Sequence, residues 1–261
     1  MNDKVVLFET IGAVARLTLN RPKAMNSLNL TMQAELKQCL EQIAAREDLR
    51  VVVLTGRGVA FCAGADLKEV MAGQSLPAGE ADFLDQASAL FALLRKFPKP
   101  VIAALNGVTM AGGLELAMCA DLIIAAQSAT IADAHANYGV YPGAGGAAIL
   151  PRLIPLNMAM YLLFTGKSLS AEEMKTCGLV CEVHPDDQLA DAALALARLI
   201  ATKSPIALRR MKEVARLSSD KSREDALLHE QVMLRQHLRS ADMQEGLRAF
   251  AEKRTPDFVG K

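Results

Sequence analysis

A mixed α/β core followed by an all-helical C-terminal stretch is the architecture predicted for this chain, on three observations. The runs Val51-Val52-Val53-Leu54, Val101-Ile102-Ala103-Ala104-Leu105 and Leu122-Ile123-Ile124-Ala125-Ala126 are continuously apolar, the mark of strands buried on both faces. Segments with helical periodicity separate these runs, which is the alternation of a mainly parallel sheet. After His184-Pro185 the character changes, and from Asp191 to Lys253 the pattern is helical with no strand-like run. Residues 1–190 are therefore expected to form the core and residues 191–261 a helical region.

The elements follow in order. Val5-Val6-Leu7-Phe8 and Val14-Ala15-Arg16-Leu17-Thr18-Leu19 are rich in branched side chains and flank Gly12, which predicts a β-hairpin. Asn20-Arg21-Pro22-Lys23 is a turn, with Pro22 ending any helix there. From Asn29 onward, Leu30, Ala34, Leu36, Leu40, Ile43 and Ala44 recur at helical spacing. Ser170-Ala171-Glu172-Glu173 is a capping box, the Ser170 side chain accepting the Glu173 N–H and Glu173 reaching back. Gly178 supplies the C-terminal cap of that helix.

Composition excludes several classes. Apolar residues make up 51% of the 261 positions and charged ones 22%, as in a soluble globular protein. The formal net charge is zero and no basic run is present, so there is no electrostatic footprint for nucleic acid. Trp is absent and aromatics are scarce, so Ala, Leu, Val, Ile and Met must build the core. Cys39, Cys62, Cys119, Cys177 and Cys181 form no even disulfide framework and read as reduced thiols in a cytoplasmic protein. Cys177 and Cys181 lack a second pair for a zinc site and are expected to be buried small hydrophobes. The opening Met1-Asn2-Asp3-Lys4 has no long apolar stretch, so no secretory leader is expected. The most apolar region, Pro100 to Ala134, is interrupted by Asn106, Gly112-Gly113, Glu115 and Asp121, so no membrane span is expected.

Familiar nucleotide and nucleophile signatures fail. Thr165-Gly166-Lys167-Ser168 ends like a phosphate-binding loop, but Tyr161 stands where that pattern needs glycine. No Gly-x-Ser-x-Gly elbow occurs, and the glycines from Gly139 to Gly146 lack dinucleotide spacing. None of the four histidines sits in a metal-type pair.

Two glycine-containing turns remain, each after a buried strand: Phe61-Cys62-Ala63-Gly64-Ala65-Asp66-Leu67, and Asn106-Gly107 through Gly112-Gly113-Leu114-Glu115-Leu116. Ligands of open α/β sheets sit beyond the carboxyl ends of strands. Gly112-Gly113 directly precedes an apolar helical run, and a helix start offers unpaired N–H groups that glycine leaves accessible. Two such turns side by side are expected to form an oxyanion hole. Glu115, just beyond the glycines, is either a base or water-holder near a polarised carbonyl or a glutamate favoured by the helix start.

Several segments together resemble the enoyl-CoA hydratase/isomerase (crotonase) family. They are Ala63-Gly64-Ala65-Asp66, Asn106-Gly107 through Gly112-Gly113-x-Glu115-Leu116, Pro142-Gly143-Ala144-Gly145-Gly146, Thr165-Gly166-Lys167-x-x-Ser170-Ala171-Glu172-Glu173 and Gly246-Leu247-Arg248-Ala249-Phe250-x-Glu252-Lys253-Arg254. The resemblance runs from about residue 5 to residue 258. It implies a crotonase-like ββα spiral with a C-terminal all-helical trimerisation region, the trimers often paired into hexamers. The implied ligand is an acyl-CoA thioester, with coenzyme A part of the substrate and no separate cofactor or metal. The family's oxyanion donors fall on the N–H groups of Ala63 and Gly112. Its coenzyme A contacts fall on Lys23, Ala24, Ala63, Gly64, Ala65, Asp66 and Leu67, and, from a neighbouring subunit, on Phe250 and Lys253.

The first of the two glutamates of family hydratases falls on Glu115, while the second is replaced by His135 in Asp133-Ala134-His135-Ala136-Asn137. A histidine can take over the acid's task, since its unperturbed pKa lies near ~6.5; alternatively, Asp133 or another neighbour holds it structurally. The resemblance implies water addition to a 2-enoyl-CoA, with isomerisation, decarboxylation or acyl-CoA binding without turnover as the other outcomes. Dehalogenation of an aryl thioester needs a nucleophilic aspartate near Gly143 to Ala147, and none is there. Tyr138 and Tyr141 lie near the implied acyl pocket and are expected to pack there, or else to donate to a substrate carboxylate.

Overall fold

A computed structural model describes residues 4–73 and 82–261. The leading residues 1–3, read above as carrying no leader, lie outside the described residues.

Strands β1 (Val6–Ile11) and β2 (Val14–Leu19) form the expected antiparallel hairpin. Pro22 opens a single 3-10 turn, Pro22–Ala24, where its missing N–H has no cost. Helix α1 (Leu30–Ala45) starts where Asn29 caps it, the side chain accepting the Met32 N–H. β3 (Val51–Gly56) and β4 (Ala60–Cys62) follow, then α2 (Leu67–Gly73) and α3 (Phe83–Arg95). β5 (Val101–Leu105), β6 (Val108–Met110) and α4 (Gly112–Ala117) make the next unit. β7 (Leu122–Ala126) and β8 (Thr130–Ala132) lead into a 3-10 turn at His135–Tyr138.

Each of these three strand pairs divides itself between two sheets. The first member joins a six-stranded sheet ordered β1-β2-β3-β5-β7-β10, parallel except at the hairpin. The second joins a four-stranded sheet, β4-β6-β8-β9. That repetition is the ββα spiral. The strands of the large sheet were visible as apolar runs, whereas β4, β6 and β8 are three residues long and show no period of their own.

The chain continues through α5 (Leu150–Leu153), α6 (Leu156–Thr165), β9 (Leu169–Ser170), α7 (Ala171–Thr176) and β10 (Glu182–His184). The capping box at Ser170 and Glu173 is present in both directions, and Gly178 closes α7 with a positive φ of 86°. Four helices complete it: α8 (Leu189–Ala201), α9 (Pro205–Ser218), α10 (Arg223–His237) and α11 (Ala241–Glu252). α8 packs on the large sheet against β2, β3, β5, β7 and β10. α9 is tied to the start of β7 by Lys212 and Arg216, which pair with Asp121 at 2.6 and 2.7 Å.

The core is aliphatic, as composition required, with Phe61, Phe91 and Phe97 the largest fully buried side chains. Cys62 and Cys119 are buried, but Cys177 is only partly covered and Cys181 is exposed, which corrects the expectation for that pair. The Cys181 N–H bonds the Ile123 carbonyl as the chain enters the edge strand β10, and this edge position leaves its side chain outside. Among the described residues, no helix is long and apolar enough to cross a membrane.

Candidate active site

The turns after β4 and before α4 meet where the small sheet ends. Gly113 permits this approach: a Cβ there would collide with the Cys62 carbonyl oxygen. Ala111 caps α4 with φ 50° and ψ −122°, a conformation that costs a residue with a side chain about 1–3 kcal/mol. The surrounding packing holds the turn in it and presents the Gly112 N–H at the helix start.

The partner of Gly112 is decided by register. A parallel bridge joins Leu28 to Ala65. The Leu28 N–H donates to the Gly64 carbonyl at 2.8 Å, and the Asp66 N–H donates to the Leu28 carbonyl at 2.7 Å. In such a bridge the N–H of the intervening residue, Ala65, points away from Leu28. It points toward α4: a Cβ on Gly112 would lie 3.4 Å from the Ala65 nitrogen. Among the described residues, the N–H groups of Ala65 and Gly112 have no hydrogen-bond partner. Ala63 is different, since its N–H donates to the Met25 carbonyl at 3.0 Å. The assignment of an oxyanion donor to Ala63 is therefore corrected, and the free donor in that turn belongs to Ala65.

Glu115 is 4% exposed and firmly oriented. Its Oε1 accepts the N–H groups of Ala144 and Gly146 at 2.8 and 2.9 Å. Arg95 braces this loop by donating to the Ala144 carbonyl at 3.2 Å. Oε2 is left facing the His135 Nε2 at 4.0 Å. The other ring nitrogen, Nδ1, donates to Asp133 Oδ1 at 2.9 Å. Burial pushes the His135 pKa down, but the hydrogen bond to Asp133 and the charges of Asp133 and Glu115 outweigh it, and the net pKa lies above the ordinary 6.5.

Lys23 and Ala24 sit in the 3-10 turn beside the 63–67 loop. The two segments are joined by the Met25–Ala63 bond and by Arg21, which pairs with Asp66 at 2.9 Å. Leu67 opens α2 and is exposed. Phe250 lies near the end of α11, 86% exposed, and Lys253 caps that helix in the left-handed conformation. Tyr138 and Tyr141 are exposed, so in this chain neither ring packs into a pocket as expected. Among the described residues, no cluster of three potential metal ligands occurs.

The sequence reading missed Ala65 as a free donor and Arg95 as a brace. Long-range pairing of Leu28 with Ala65 decides the first, and local pattern carries no sign of it. Asp133 stood two positions before His135, a spacing at which two side chains can meet.

The pattern of the family described as enoyl-CoA hydratase/isomerase matches residues 9–261. A 1,2-epoxyphenylacetyl-CoA isomerase of Escherichia coli is 39% identical over 98% of this chain and 98% of its own length. A 2,3-dehydroadipyl-CoA hydratase of the same organism is 38% identical over 95% of this chain and 96% of its own. The crystal structure of an enoyl-CoA hydratase from Bacillus anthracis superposes with a TM-score of 0.92 at 37% identity, covering 98% of this chain and 100% of that one.

Proposed function

The chain belongs to the enoyl-CoA hydratase/isomerase family, and from that premise we propose that it adds water across the double bond of a 2-enoyl-CoA thioester. The thioester oxygen accepts hydrogen bonds from the N–H groups of Ala65 and Gly112. Negative charge develops on this oxygen as the β-carbon is attacked, and two fixed donors stabilise it without reorganising. With Oε1 held by two amides, Glu115 works through Oε2. One water at about 2.8 Å from both Oε2 and the His135 Nε2 spans their 4.0 Å separation with an angle of about 90° at its oxygen. Glu115 takes a proton from that water as it attacks, and His135 supplies the proton to the α-carbon.

The observation that carries this reading is the single free oxygen of Glu115 facing a histidine whose pKa is raised, beside two unpaired amides. Coenzyme A, as part of the substrate, lies along Lys23, Ala24 and the loop from Ala63 to Leu67. Phe250 and Lys253 contact it from a neighbouring subunit in a homo-trimer, built by residues 191–261 and paired into hexamers. No separate cofactor is required, and the setting is cytoplasmic.

The test is a panel of 2-enoyl, 3-enoyl and malonyl-type CoA thioesters followed by mass spectrometry, on wild type and Glu115→Ala. The wild type is expected to gain one water on 2-enoyl substrates such as crotonyl-CoA. The variant is expected to lose that turnover while still binding the thioester. Undiminished hydration in Glu115→Ala, or turnover of only the 3-enoyl or malonyl-type thioesters, refutes the proposal.

A further inference from the structure

Asp133 is 1% exposed, and only one of its two oxygens is hydrogen-bonded, to the His135 ring. Among the described residues, the other, Oδ2, is buried without a partner. It is wedged beneath the loop that holds Glu115: a Cβ on Gly146 would collide with Oδ2, and the Gly146 N–H donates to Glu115. The backbone is bent to make the contact. Ala134 adopts φ 59° and ψ −7°, left-handed for a residue with a side chain, and this turn brings residues 133 and 135 together. A carboxylate so poorly solvated stays ionised only with a compensating charge close by.

We propose that Asp133 is a positioning residue for proton transfer, fixing the His135 ring by its Nδ1–H so that Nε2 faces Glu115 and the three side chains act as one carboxylate–imidazole–carboxylate unit. The inference rests on the reading of His135 as the proton donor. The charge balance supports it. Two glutamates sharing one proton carry one negative charge. A lone imidazolium in place of the second would leave the pair neutral, and Asp133 restores the single negative charge. The charged groups facing the ring are Asp133, from the end of β8, and Glu115, from α4. Helix α6 packs against the His135 turn and carries no charged side chain, its one titratable group being Tyr161.

The test is an NMR titration of the 15N-labelled histidines in the full-length protein, the His135 signal being assigned by its loss in His135→Gln. The pH profile of kcat/KM for crotonyl-CoA hydration is measured alongside. In Asp133→Asn, His135 is expected to titrate about 1–2 pH units lower than in the wild type. The alkaline limb of the profile should move with it, kcat should fall about tenfold or more near pH 8, and KM should hold. Asp133→Glu, which keeps the charge, should recover part of both.

An His135 titration unmoved in Asp133→Asn overturns the inference, as does a moved titration with an unmoved pH profile. A wild type that hydrates no 2-enoyl thioester removes the proposed function instead, and the titration still reports on Asp133. Should the Asn variant not fold, the wild type decides alone. A downfield Nδ1-bound proton that persists to pH 7 and is lost in His135→Gln supports the inference, and its absence overturns it.

Discussion

Gly112→Ala separates the oxyanion hole from the fold. The new methyl carbon would lie 3.4 Å from the Ala65 nitrogen and 3.6 Å from the Gly64 Cα, ordinary van der Waals separations, so the backbone can stay where it is. Residue 112 is the first residue of α4 and has helical backbone. Alanine there is unstrained, and the smaller freedom of the unfolded chain stabilises the protein by about 0.4–1 kcal/mol. The methyl nevertheless fills the side from which a thioester oxygen must approach the Ala65 N–H to about 2.9 Å. Losing one donor of such a pair raises the barrier by about 2.7–4 kcal/mol, roughly 10²–10³ in kcat. The assay is loss of the enoyl absorbance of crotonyl-CoA together with calorimetric melting. The expected result is a 100-fold or greater loss of kcat with an unchanged or slightly raised Tm, each relative to wild type. Gly113→Ala, whose methyl would strike the Cys62 carbonyl oxygen, should instead lower the Tm through about 1–3 kcal/mol of overpacking. A Gly112→Ala enzyme with normal melting and less than a roughly tenfold loss of kcat would show that the oxygen is held elsewhere.

Two further predictions concern stability. Asn26 is fully buried, accepts the Arg21 N–H at 2.9 Å and donates to the Arg57 and Ala60 carbonyls at 3.0 and 2.7 Å. Asn26→Ala should cost about 3 kcal/mol through the orphaned groups and the left-handed backbone, lowering Tm by about 6–12 °C; a change under about 2 °C contradicts this. His237 accepts a hydrogen bond from Arg210 at 3.0 Å through Nδ1, which requires that nitrogen to be unprotonated. Burial and then the Arg210 charge lower its pKa below 6.5, against a smaller opposing effect of Asp242. The unfolded chain therefore takes up the proton first as pH falls. The stabilisation is present above about pH 6.5 and is lost as pH drops through the folded pKa. His237→Gln should flatten the Tm difference between pH 7.5 and pH 5, and an identical difference would refute the linkage.

What was legible in the sequence divides along a physical line. β3, β5 and β7 are buried on both faces and so appear as unbroken apolar runs, and α1 and α7 carry their caps within three residues of their own starts. These are local signals. The small sheet depends on pairings between segments some twenty to fifty residues apart, made by strands too short to show alternation. The site repeats the contrast at the scale of one residue. Glycine beside an apolar helix start marked Gly112, and the same reasoning marked the turn at Ala63 to Leu67. Which amide in that turn is free is set by the bridge between Leu28 and Ala65, and neighbouring amides point to opposite sides of an extended chain. Between Ala63 and Ala65, Gly64 at φ 106° breaks that alternation. They differ in outcome because Met25, itself in a left-handed turn at φ 47°, brings its carbonyl within reach of Ala63 alone. Arg21, which pairs with Asp66, and Asn26, which bonds the Ala60 carbonyl, lock that turn in place, so residues remote from the chemistry determine which nitrogen remains to receive the substrate.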